Sequence, residues 1–118
     1  MIDAQLTTEI FGLFAPGRPD IALKMSHLPI RVTAHDEAAL AAEFYVIMHS
    51  LAAVADPELS AKEQIQELAK QARVRTADDS YIAKMHDFVK SRYEAGVPWE
   101  QARDEVYQRY VVEGLDGY

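Results

Sequence analysis

Between Asp36 and Ala55 the chain is apolar around most of a helical circumference. Leu40, Phe44, Ile47, Leu51 and Val54 step by 4, 3, 4 and 3 residues, while Tyr45, Val46, Met48 and several alanines cover the other faces. A helix of this kind belongs at the centre of a core or between two subunits. After its first turn only Glu43, His49 and Ser50 interrupt it, and Asp36, Glu43 and Ser50 recur every seven residues on one narrow line. That line is where the helix meets water, or else the first place to look for function.

The same periodicity predicts the surrounding elements. Ile2, Leu6, Ile10 and Leu13 or Phe14 are spaced for a short helix with its apolar face on the core, ended by Pro16, Gly17 and Pro19. From Ile21 to Val32 the apolar positions alternate, as 21, 23, 25 and then 28, 30, 32, which predicts extended chain or a short hairpin; a turn of helix capped by Asp20 is the alternative. Thr33 to Asp36 has the spacing of a capping box for the apolar helix, and Asp56-Pro57 ends it. Ser60 and Glu63 form a second capping box, opening a peripheral helix to Arg73 with Ala61, Ile65, Leu68 and Ala72 as its seam. Thr76 and Asp79 suggest a cap for a helix over 77–94, whose inner arc holds Tyr81, Ile82, Met85, Phe88 and Val89. Gly96 then suits a C-terminal cap, and Pro98 opens a last helix with Trp99, Ala102, Val106 and Tyr110 inward, ending at Gly114 before a frayed tail. The expected fold is all-α: one domain over residues 1–118, a four- to five-helix bundle around the apolar helix at about 36–55, with an extended or hairpin segment at about 21–32.

Composition narrows the function classes. The chain has 118 residues and no cysteine, which removes thiolate metal sites, cysteine nucleophiles and disulfides and fits a reducing, cytoplasmic setting. No basic leader precedes an apolar stretch at the N-terminus, and no run approaches the about 18 apolar residues of a membrane span. The net charge of −7 disfavours nucleic acid and anionic membranes and leaves a basic protein partner open. Acidity is concentrated in 36–55 and 99–118, so Asp36, Glu37, Glu43, Asp104 and Glu105 are the partner-contact candidates if those helices pack together.

Chemistry finds less support. His49 has no histidine or carboxylate partner three or four residues away, so a di-metal bundle site is not encoded. Asp87 adjoins His86 in sequence, but neighbours on a helix point apart, so it is not expected to orient that ring. No serine lies in a Gly-x-Ser-x-Gly elbow, and the five glycines form no phosphate loop, which argues against cofactors. A helix-turn-helix reading meets Asp78 and Asp79 at the end that would enter the groove. The expectation is a non-enzymatic, acidic interaction protein: a regulator, adaptor or inhibitor of a basic partner, able to form a homodimer. The alternative is a ligand-binding or enzymatic bundle using Glu43, His49, His86, Tyr81 and Tyr110. A third reading is a structural subunit whose apolar seam another chain covers.

Overall fold

A computed structural model describes residues 3–113, and its described residues are helical with no strand. A 3-10 turn, Asp3–Thr7, leads into α1 (Glu9–Phe14), α2 (Pro19–Thr33), α3 (Asp36–Ala52), α4 (Ala61–Arg73), α5 (Tyr81–Glu94) and α6 (Trp99–Tyr107), and a π-helical turn Gln108–Val112 follows. The expected positions of Ile2, Gly114 and the tail lie outside the described residues.

The apolar helix α3 is central, as its composition predicts. On one side Ala39, Ala42 and Val46 pack with Ala4, Ala15, Ala22, Ile30 and Ala34 from the 3-10 turn, α1 and α2. On the other, Phe44 and Ile47 pack with Ala72 of α4 and Ile82 of α5. Leu23 belongs to both clusters. Burying Val46 and Ile30 completely contributes about 2 kcal/mol each.

Three expectations are corrected. The segment at 21–32 is neither extended nor a hairpin; it is the middle of α2. The alternating positions fall on two helical stripes: Leu23 and Ile30 face the core, while Ile21, Met25, Leu28 and Val32 face outward. Pro19 opens the helix, and Pro29 sits inside it on the exposed side, removing one backbone donor. Thr33 does not cap α3: it ends α2, His35 is the N-cap without a side-chain bond, and Asp36 takes a positive φ of 46°. Nor does Thr76 cap α5. Its hydroxyl donates to the Ala72 carbonyl at 2.9 Å, and Ser80 is the cap, accepting from the Ala83 N–H at 3.3 Å.

The helix ends of α4 and α5 follow the sequence closely. Ser60 accepts from the Glu63 N–H while Glu63 Oε2 accepts from the Ser60 N–H, closing the predicted capping box. Gly96, at φ +72°, donates to the Tyr93 carbonyl and Val97 to the Arg92 carbonyl, a Schellman pair that turns the chain into α6. Trp99, expected inward, is 68% exposed; among the described residues α6 packs chiefly on α5.

Candidate functional site

The N-terminal layer packs mostly small residues inward, with Phe11 beside them, and leaves several large ones outward. Through the 3-10 turn and α1 the buried positions are Ala4, Thr8, Gly12 and Ala15, whereas Leu6, Ile10, Leu13 and Phe14 face solvent. The predicted inner face of this segment is therefore its outer one. The cause is how closely α1 approaches α3. A Cβ at Gly12 would stand 2.6 Å from the His49 carbonyl carbon and 2.7 Å from the Ser50 nitrogen, so no larger residue fits that crossing. Ser50 closes the contact from both ends: its hydroxyl donates to the Ala15 carbonyl, and its carbonyl accepts the Gly17 N–H at 2.8 Å. A fully buried hydroxyl needs such a partner. Ser50 is thus a structural clamp, and the line of Asp36, Glu43 and Ser50 runs from solvent into the core.

Helix α2 shares part of this arrangement: Ala22 and Ser26 are buried, but so is Ile30, and Leu23 packs on the core. Ile21, Met25, Leu28 and Val32 are outward at 4-3-4 spacing, within roughly 60° of the helix circumference at 100° per residue. Beside them a shallow, open depression is lined by Leu23, Lys24, His27, Leu28 and Glu43. Glu43 accepts from Arg31 Nη1 at 2.7 Å at this α2–α3 seam.

The other charged candidates also have in-chain partners. Glu37 Oε2 accepts the Tyr81 N–H at 2.7 Å, where the carboxylate meets the positive end of α5. Asp104 pairs with Arg103, and Glu105 accepts from Gln101 and lies 3.5 Å from Arg92. Asp36 is exposed at the start of α3. Among the described residues α6 packs chiefly on α5, with no substantial packing on α3, so those two acidic helices do not form one joint surface.

The ligand-pocket candidates do not share one cavity. Glu43 faces α2 and His49 lies under α1, while His86 stacks at 5.9 Å on Phe44 toward α5. Tyr81 sits beneath Lys84, and Tyr110 meets Phe88 edge-on at 6.2 Å. One expectation here is overturned: His86 Nδ1 does reach Asp87 Oδ1, at 3.0 Å. Arg73 explains it, because its Nε and Nη2 both hold the Asp87 carboxylate, at 2.9 and 2.8 Å, and swing it across the α4–α5 seam beside the ring. That guanidinium, with help from His86, holds the Asp87 carboxyl down at about 2. Among the described residues no three metal-ligating side chains converge, and no helix is long and apolar enough to cross a membrane.

Compared with protein-family models, with curated proteins and with solved structures, the chain finds no match. Its surface is what remains to read. Sequence reasoning missed the outward apolar face, although a signal for it existed: small residues at 4, 8, 12 and 15 and at 22 and 26 mark a close helix contact as well as large ones mark a core.

Proposed function

We propose that this chain works by binding protein, without chemistry of its own, through the outward apolar face of the 3-10 turn, α1 and α2. One observation carries the reading: although Phe11, Leu23 and Ile30 pack inward, eight large apolar side chains of these elements, Leu6, Ile10, Leu13, Phe14, Ile21, Met25, Leu28 and Val32, stand exposed. Exposed large apolar side chains gathered on neighbouring elements are characteristic of interaction sites. The total accessible surface, 7726 Å², also exceeds by roughly a fifth what a closed monomer of this mass presents. Binding through the acidic residues has weaker support, because Glu37, Glu43, Asp104 and Glu105 are each engaged within the chain. A cytoplasmic setting, suggested by the absence of cysteine, belongs to the proposal.

The test compares three tagged forms recovered from native cells: the natural chain, a Leu13→Glu, Leu28→Glu variant, and an Asp104→Lys, Glu105→Lys variant. A stoichiometric companion, whether another protein or untagged copies of this one, is expected with the first and third and lost with the second. The same companions on all three, loss only with the charge reversal, or no companion at all would overturn the reading.

A further inference from the structure

Resting on that reading, we propose that the outward stripe of α2 is a twofold, antiparallel contact with a second copy of this chain, flanked by the outward residues of α1. The first argument is area. At exposures of 38 to 80%, the four outward side chains of α2 and the four preceding them leave on the order of 800 Å² to be covered, which is the share each partner contributes to a stable dimer.

The second argument is the symmetry of the stripe. A twofold contact uses one patch twice, so the patch must match itself when reversed. The 4-3-4 spacing of Ile21, Met25, Leu28 and Val32 reads the same in both directions about a point between Ser26 and His27. Reversal sets Ile21 against the partner's Val32 and Met25 against the partner's Leu28. β-Branched side chains then meet at the rim and unbranched or γ-branched ones near the axis. Ile21 and Val32 differ by one methylene, and Met25 and Leu28 are of nearly equal volume. Antiparallel alignment also places the two helix dipoles head to tail.

Charge supplies the third argument. Two copies of a chain with net charge −7 repel wherever their acidic surfaces meet. Residues 16–34 carry Arg18, Lys24 and Arg31 against Asp20 alone, so a contact through α2 avoids the chain's acidic excess, and its own small basic excess is reduced by in-chain pairing. Arg31 is further neutralised by Glu43 at 2.7 Å, and Asp20 by Arg18 at 3.0 Å. Neither interrupts the stripe.

The absence of cysteine makes the test direct. Light scattering of the purified chain over about a hundredfold range of concentration should approach twice 13.3 kDa, and Leu28→Glu should weaken association at least about tenfold with unchanged circular dichroism. Mild oxidation of a mixture of Ile21→Cys and Val32→Cys chains should give disulfide-linked pairs containing one of each, while Ile21→Cys alone gives few. A monomer at every concentration, a Leu28→Glu chain that dimerises like the parent, or cross-linking by Ile21→Cys alone as readily as by the mixture overturns the proposal. If the purified chain is a monomer yet retains a different protein from cells through Leu13 and Leu28, only the second copy is excluded. A monomer with no such companion removes the broader reading too.

Discussion

The two halves of the molecule dress their exposed hydrophobic side chains differently. In α4, α5 and α6 the buried positions are Ala72 and Ala83, with Leu68, Ile82, Met85 and Phe88 partly covered; Ile65, Val89 and Tyr107 are exposed, and several rings carry cations: Lys62 lies over Tyr93, Lys84 over Tyr81 and Arg103 over Trp99. Phe88 lies between Arg92 and Arg109, at 4.9 and 5.0 Å from the ring centre. In the 3-10 turn, α1 and α2 the core side is mostly small residues with Phe11, Leu23 and Ile30, and the exposed large apolar side chains are non-aromatic apart from Phe14, with no cation over that ring among the described residues. Charge dresses much of the exposed aromatic surface of the C-terminal half. In the N-terminal half Gly12 lets α1 approach the α3 backbone closely, and the large apolar side chains on the outer side stay exposed.

The strongest way to break that contrast is at Gly12. An added methyl would press on the backbone of His49 and Ser50, which cannot rotate away, so Gly12→Ala is expected to cost about 3 kcal/mol and lower the thermal midpoint by more than about 10 °C. The matching change at Gly96 meets nothing within 4 Å, and only the positive φ opposes it, at about 1 kcal/mol. Equal losses at the two glycines would mean that α1 is not held by close approach to α3.

Next in size is the ionic seam of the C-terminal half. Arg73 joins α4 to α5 through Asp87 and also holds Asp78. Asp87 is half exposed, so solvent screening limits the whole arrangement to about 1 kcal/mol, the expected loss in Arg73→Met. The pH dependence has a definite sign. The folded carboxyl titrates at about 2 against an ordinary 3.8, so its contribution is complete above about pH 4 and is lost as pH falls toward 2. Denaturant titrations between pH 5 and pH 2 should show a decline in stability that is shallower in Asp87→Asn. Identical slopes would remove Asp87 from the account.

What the sequence made legible follows from the same contrast. The centrality of α3, the Ser60 capping box and the Gly96 turn could be read because each depends on residue types acting locally or on an apolar excess with one interpretation. The inner face of α1 is not legible because its large apolar residues lie mostly outward, and α2 is not legible because its apolar positions alternate as those of a strand do. Ala22, Ser26 and Gly12 carry little hydrophobic signal, and their meaning comes from a neighbouring backbone that only the fold supplies. Period-two alternation over 21–32 was a coincidence of an inner and an outer stripe. The pairing of His86 with Asp87 was hidden for a related reason: Arg73, fourteen residues earlier, decides where the carboxylate points.

The smallest expected effect on folding gives the sharpest comparison. Leu28 is 73% exposed on α2 and Ile65 is 60% exposed on α4, so in a dilute monomer either change to Glu should alter stability by less than about 0.5 kcal/mol. Their behaviour should separate as concentration rises. If the N-terminal face is covered by association, the thermal midpoint of the natural chain climbs with concentration, because binding stabilises only the folded state. Leu28→Glu should abolish that climb and Ile65→Glu should keep it. A midpoint independent of concentration in all three would show that the exposed leucine on α2 is as idle in the purified protein as the exposed isoleucine on α4, and the two halves would then differ in packing but not in self-association.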